Sequence, residues 1–199
     1  MQEKLKVITI GDYKDFILKK SFKDNENIEF LELALDESIE NLNTNFSKRD
    51  IVFLQTNTEN LENLLEAGKA LKEKEIITLT VLEEKIVMEN KEVLEETINA
   101  IFPATKKDDI NNLLLELIKM IENIIYGVCF INLDVEDVKY MLKDSGISVF
   151  GSLNISKTIS KEDIIKNINY PFYSKTLKDS KKFLIFLDTL EGFVLTEGE

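Results

Sequence analysis

Three polar side chains that could handle a water molecule stand close together in the stretch FINLDVEDVKYMLKDSG, residues 130–146: Asn132, Asp134 and Asp137. Carboxylates can orient a water molecule and accept a proton from it, which is the chemistry needed to hydrolyse a phosphate anhydride. An apolar, strand-like run leads into the triplet and an amphipathic helix follows it. The spacing therefore places two acids at the start of a helix, where a reactive site could be built.

The same residues also have an ordinary structural use. An Asn or Asp at the N-cap accepts a hydrogen bond from a free backbone N–H, and acids in the first turn complement the helix dipole. In that interpretation Asp134, Glu136 and Asp137 only stabilise the start of the helix. The residue types alone leave both interpretations open.

The composition indicates a soluble globular protein and excludes several classes of function. The chain has 199 residues, 44% hydrophobic and 31% charged, with a mean hydropathy of -0.11, enough for one domain with a sizeable core or one domain with a small appendage. Its net charge of -12 disfavours nucleic acid or an anionic membrane surface as a partner, because both need a basic footprint.

The counts of single residue types exclude further kinds of site and help to predict the location of the protein. Histidine is absent and Cys129 is the single cysteine, so zinc-finger, metalloprotease and cysteine–histidine protease sites are excluded and no metal site is predicted. No apolar stretch approaches the roughly 20 residues of a membrane span, and the N-terminus lacks a signal-peptide core. We therefore predict no membrane partner and a cytoplasmic location.

Apolar runs rich in β-branched residues recur along the first half of the chain and predict buried parallel strands. They are KVITIG (6–11), IEFLELAL (28–35), DIVFLQT (50–56) and IITLTVL (76–82). The segments between them have helical spacing: DYKDFILKK (12–20), DESIENL (36–42) and NTENLENLLEAGKALKEK (57–74). This alternation predicts an α/β fold, Rossmann-like, with right-handed crossovers and a parallel sheet flanked by helices on both faces.

The strongest helical pattern, KDDINNLLLELIKMIENIIYG, predicts a long central helix near 107–126 with a broad apolar face. Ahead of it, KEVLEETINAIFPA (91–104) predicts a helix and then a strand that ends near Pro103. Behind it come the opening triplet, the segment ISVFGSLNIS (147–156), a helix near 160–169 and the strand-like run KKFLIFLDT (181–189).

The run NLDVEDVK (132–139), directly after a long apolar helix, resembles the acidic loop of the tubulin superfamily, and within it of the bacterial division protein FtsZ. Gly146 and Gly151 are similar to that family's Gly-x-x-x-x-Gly pattern, and the turn around Pro171 and the run KDSKKFLIFLD (178–188) are similar to its C-terminal domain. The resemblance implies a nucleotide-type α/β domain over 1–106, a connecting helix over 107–126 and a shortened α+β C-terminal domain over 127–199.

The chain departs from the family where the family holds GTP. FtsZ binds the phosphates with two glycine-rich loops, because glycine lets successive backbone N–H groups approach them. Here the first loop has Gly11 alone, and the second has no glycine before Gly68, while four acids would face the triphosphate: Asp12, Asp15, Glu59 and Glu62. We expect GTP binding to be impaired or lost, with no cofactor.

Weak remnants of the nucleotide site remain at Gly11, Asp36, Asn57 and Thr58. Asp36 stands where the family carries an acid after the second strand. We prefer its alternative role as the N-cap of a helix formed by DESIENL.

The resemblance implies that Asp134 and Asp137 act in trans on the nucleotide of a neighbouring subunit, with Asn132 shaping the loop. We therefore expect a bacterial, FtsZ-like cell-division protein that associates with or regulates a cytoskeletal filament. Its partner would be FtsZ or a second copy of itself, and independent GTPase activity is not expected.

Two alternatives stay open. In the first, the chain is a GTPase whose phosphate loop uses Asn57, Thr58 and Asn60 in place of glycines. In the second, it is an interaction module unrelated to filaments, and the triplet is a helix cap.

Overall fold

The computed structural model describes residues 3–13, 16–42, 44–105, 110–127, 133–151 and 180–185. The strands are β1 (Leu5–Ile10), β2 (Ile28–Leu33), β3 (Ile51–Thr56), β4 (Ile77–Glu83), β5 (Ala100–Ala104) and β6 (Gly146–Ile147). The helices are α1 (Phe16–Ser21), α2 (Leu61–Glu73), α3 (Glu84–Glu89), α4 (Lys91–Thr97), α5 (Ile110–Tyr126) and α6 (Val135–Leu142).

All six strands pair in parallel in the order β2-β1-β3-β4-β5-β6. This confirms the predicted α/β fold with a parallel sheet. The first five strands follow the order of flavodoxin-like doubly wound sheets, in which the chain direction across the sheet reverses between β1 and β3. In such sheets ligands bind beyond the carboxyl ends of the strands at that switch point, so the fold itself marks a place for a site.

The two faces of the sheet carry separate hydrophobic cores because side chains alternate along each strand. On one face Leu5 and Val7 of β1 pack with α1, α5 and α6. On the other face Ile8 and Ile10 pack with α2, α3 and α4. The apolar stripe of α5 lies entirely in the first core, as the sequence pattern predicts, and the helix occupies most of the predicted range 107–126.

The last connection of the sheet differs in hand from the earlier crossovers. The crossovers from β3 to β4 and from β4 to β5 pass over the face that carries α2, α3 and α4. The connection from β5 to β6 advances in the same direction across the sheet, but α5 and α6 pack on the opposite face. It therefore has the opposite hand, whereas the crossovers among the first four strands, for which the sequence predicts the right hand, are right-handed. Only two residues of β6 pair with β5, so little sheet packing enforces the usual hand there.

Two local predictions also differ from the structure. The segment DESIENL forms only a 3₁₀ turn over Ile39–Asn41, because few of its residues are apolar and Ile39 is its one buried side chain. The strand-like run KKFLIFLDT (181–189) forms no strand over its described residues 181–185. Cys129, Asn132, the helix predicted near 160–169 and the turn around Pro171 lie outside the described residues, and so does most of the C-terminal domain predicted over 127–199.

Candidate functional site

The two acids of the opening motif form a reciprocal cap at the start of α6. The Asp134 carboxylate accepts a hydrogen bond from the backbone N–H of Asp137 at 2.9 Å, and the Asp137 carboxylate accepts one from the N–H of Asp134 at 3.2 Å. This is a capping box, which satisfies two backbone donors at once. The structure therefore confirms the interpretation that Asp134 and Asp137 cap the start of α6.

The capping hydrogen bonds do not prevent either carboxylate from taking part in a reaction. Asp134 and Asp137 are both exposed, and each uses one oxygen atom in the capping bonds. The buried residues of the same helix, Val135, Val138 and Leu142, anchor it on the core formed with α5. The outer oxygens therefore sit on a rigid helix start and face solvent.

This helix start lies at the amino edge of the sheet, where the strands begin. Asp134 lines a cavity of about 340 Å³ together with Glu3, which precedes β1, and with Ile124 and Ile125 at the end of α5. The Tyr126 hydroxyl donates to the backbone oxygen of Glu3 at 3.0 Å and joins the end of α5 to the start of β1.

The other predicted residues gather at the opposite, carboxyl edge. Gly11 follows β1 with φ of +66°, a conformation that favours glycine, and a Cβ added there would lie 2.7 Å from the Asn60 amide nitrogen and 2.9 Å from Leu35. Asn57 and Thr58 follow the neighbouring strand β3 and form the entry to α2. The structure therefore places Gly11, Asn57 and Thr58 at the switch point, but protein side chains already pack against Gly11.

The start of α2, which lies beside Gly11, has no side-chain cap among the residues that the structure describes. Neither Asn57 nor Asn60 makes a capping hydrogen bond to the first turn of α2 or to the 3₁₀ turn before it. Exposed acids surround the opening, namely Asp12, Glu59 and Glu62. The backbone amides at this end could hold an anion, but the nearby charges oppose a highly negative one.

Asp36 does not have the structural role that the sequence favours. The N-cap of the 3₁₀ turn over Ile39–Asn41 is Ser38, so the prediction that Asp36 caps a helix is wrong. Asp36 is an exposed residue beyond the end of β2, next to Leu35, which is itself 48% exposed.

The two groups of predicted residues are thus separated by the length of the sheet. β1 is six residues long, which corresponds to about 20 Å at the usual rise of a strand. Within one molecule, Asp134 and Asp137 cannot act on anything bound beside Gly11. Any joint chemistry would need two molecules stacked edge to edge.

Sequence reasoning missed a buried ionic cluster near the amino edge. Lys6 of β1 is almost fully buried, pairs with Glu29 of β2, donates to the Thr44 hydroxyl at 3.1 Å, and lies 3.7 Å from an Asp50 oxygen. Burial opposes ionisation of Glu29, but the hydrogen bonds from Lys6 and Thr44 outweigh it and lower the pKa of this carboxyl.

The pairing that builds this cluster could not be read from the sequence. Lys6 lies directly opposite Glu29 in the β1–β2 register, and strand order and register are properties of the folded sheet. Asp50 is held in turn by the backbone N–H groups of Lys4 and Ser47, at 3.0 and 2.8 Å.

The acidic surroundings of Tyr126 are a second feature that the sequence did not reveal. Burial, together with the nearby charges of Glu3, Asp50 and Glu122, raises the pKa of Tyr126. The phenol therefore stays protonated and keeps its hydrogen bond to Glu3.

Within the described ranges no cluster of three or more acidic, cysteine or histidine side chains could hold a metal ion. In the same part of the chain no helix combines the length and apolar character needed to cross a membrane. Neither family models nor curated proteins gave a match to the sequence.

Proposed function

We propose that the protein associates with an FtsZ-like filament through the segment 132–139 and modulates it, with GTP binding of its own impaired. The observation that carries the proposal is the position of Asp134 and Asp137 at the amino edge, opposite the edge where α/β sheets ordinarily bind ligands. Head-to-tail contact between such edges would set these acids against a neighbour's nucleotide.

The roles of the residues follow from this arrangement. The cap fixes the positions of both carboxylates on the exposed helix start, and their free oxygens would orient and polarise a water molecule beside the neighbour's γ-phosphate. The acids near Gly11, and the side chains packed against Gly11, support the proposal that this chain binds a nucleotide only weakly. A molecule with one competent edge would join a filament end without extending it.

The test is to add the purified protein to a polymerising FtsZ from the same source and to measure sedimentation and GTP hydrolysis. We expect the added protein to change both quantities. Asp134→Asn and Asp137→Asn should abolish the change in hydrolysis, because an amide removes the charge but still accepts the capping bond.

Glu136→Gln is the matched control, since Glu136 is exposed on the same turn and its carboxylate pairs with Lys139. It should behave as the unmodified protein. If the protein alters neither sedimentation nor hydrolysis, or if all three variants act alike, the proposal fails.

A second candidate is a nucleotide-binding protein with an unusual phosphate loop. The observation that favours it is the start of α2 beside Gly11, which has no side-chain cap among the described residues, because the N-terminus of a helix attracts anions. Titration with a fluorescent guanine nucleotide separates the two candidates. Micromolar affinity, weakened in Gly11→Ala, would favour the second candidate, and absence of binding would favour the first.

A further inference from the structure

The cavity at the amino edge combines an apolar floor with an acidic rim. Its volume of about 340 Å³ is near the lower end of the roughly 300–1,000 Å³ usual for ligand pockets. The floor is formed by side chains from the end of α5 and the start of α6, namely Ile124, Ile125, Leu133 and Val135. The rim carries two carboxylates, those of Glu3 and Asp134.

Both charged residues among the described lining of the cavity are acidic. Arg49 lies 3.5 Å from Glu3, while within the described ranges Asp134 has no cationic partner. The raised pKa of Tyr126, caused by burial and then by the charges of Glu3, Asp50 and Glu122, also indicates a negative potential at the end of α5. An anionic group would be repelled here.

The apolar floor and the two carboxylates together determine which chemical group can bind in the cavity. A small hydrated cation gains nothing from the apolar floor, and an apolar group leaves the carboxylates unpaired. Lysine and arginine place an alkyl stem on apolar surface and keep the charged head at its rim.

We propose that this cavity receives a lysine or arginine side chain from the protein partner that docks on the amino edge. The stem would lie on Ile124 and Ile125, and the head would pair with Asp134 and Glu3. The proposal rests on the proposed function, because it names the chemistry by which the partner engages the same helix start.

The first test needs no partner. Methyl-labelled protein is titrated with n-butylguanidinium and, separately, with n-pentanol, a neutral probe of similar length. We expect butylguanidinium to shift the methyl signals of Ile124, Ile125, Leu133 and Val135, and to bind about two- to five-fold more weakly to Asp134→Asn and Glu3→Gln. Glu136→Gln, which does not line the cavity, should bind as the unmodified protein does. Equal binding of pentanol, or no shift of these methyl signals, overturns the proposal.

The second test uses the filament assay. Ile125→Phe fills the cavity and leaves both carboxylates in place, and it should reduce co-sedimentation with FtsZ, with chemical denaturation confirming that the variant is folded. If the unmodified protein co-sediments and the folded variant does so equally, the cavity is not the docking point although the proposed function stands. If the unmodified protein does not co-sediment but the probe results hold, the proposed function fails and the cavity's preference for cations remains.

Discussion

The amino and carboxyl edges of the sheet are built from different kinds of contact. At the amino edge, side-chain hydrogen bonds join segments far apart in the chain, such as Lys6 to Glu29 and Thr44, and Tyr126 to Glu3. At the carboxyl edge, β1 and β3 end in exposed loops with acids, and the side chain of Asn60 packs on Gly11. The carboxyl edge, which usually binds ligands in such folds, also has hydrogen bonds between distant segments, from Tyr13 to Asn111 at 2.6 Å and from Asn63 to the backbone oxygen of Leu35 at 2.9 Å. What distinguishes the amino edge is the buried cation of Lys6 and the solvent-facing acids of the capping box.

This difference suggests that the two edges have different roles. A site on a rigid support keeps its groups in position, as the capping box does for Asp134 and Asp137. An edge lined by exposed acids is poorly suited to a nucleotide, because the like charges repel the phosphates. This comparison of the two edges would be contradicted if the polar contacts of the amino edge contributed little to the free energy of unfolding.

The largest effect is expected at Lys6. Lys6→Met keeps most of the packing of the stem but leaves the Glu29 and Asp50 carboxylates without their buried cation. Removing one member of a buried ion pair costs about 3–5 kcal/mol, and we expect a loss of this size in the free energy of unfolding measured by denaturant titration. Lys19→Met, which breaks the exposed pair with Glu32, should cost about 1 kcal/mol or less. Equal losses would contradict the comparison.

The same cluster predicts a pH dependence that is smaller than the loss at Lys6, because Thr44 and Asp50 remain near the lysine when Glu29 is protonated. The folded pKa of Glu29 is lowered from 4.5, with burial opposing the shift and the Lys6 and Thr44 hydrogen bonds causing it. Its contribution is therefore complete above about pH 4.5 and is lost as the pH falls through the lower folded value.

Unfolding free energy measured at a series of pH values should thus decline less steeply on acidification in Glu29→Gln. In a Lys6→Met background the stabilisation lost by Glu29→Gln above about pH 4.5 should be smaller, because Lys6 no longer holds the Glu29 carboxylate and only the Thr44 hydrogen bond remains to favour it against burial. An undiminished effect there would mean that Lys6 does not cause the shift.

The main strands and helices could be predicted because the residue patterns that produce them are local in the sequence. The β-branched runs of β1, β3 and β4 and the continuous apolar stripe of α5 are visible in the sequence. The cap was one of two interpretations that the sequence left open for the acids of α6. Lys6 was not recognised as buried, since its partners come from segments brought together by register. The last crossover could not be predicted at all, because β6 has only two residues and leaves no pattern in the sequence.

A smaller effect distinguishes two threonines of β4, both fully buried on the same face. Near the amino edge Thr78 is tied to Asn99, whose side-chain oxygen accepts from the Thr78 N–H at 3.0 Å and from its hydroxyl at 3.2 Å. Two residues closer to the carboxyl edge, the Thr80 hydroxyl has no hydrogen-bond partner among the described residues. Thr78→Val should cost about 1–3 kcal/mol, whereas Thr80→Val should be neutral or stabilising. Thermal unfolding of the two variants measures the difference, and a reversed order would show that the polar contacts of the amino edge are not what stabilises it.

The smallest effect compares the helix starts at the two edges. At the amino edge Asp134→Ala removes the N-cap bond to Asp137 and should lower the free energy of unfolding by about 1 kcal/mol, while Asp134→Asn retains an acceptor and should leave it unchanged within a few tenths. At the carboxyl edge Asn60 is the N-cap residue of α2 but makes no capping bond, so Asn60→Ala should cost nearly nothing. Denaturant titrations of the three variants decide the matter. A cost at Asn60 equal to that at Asp134 would show that α2 is capped in solution, and the amides offered there to an anion would then already be occupied.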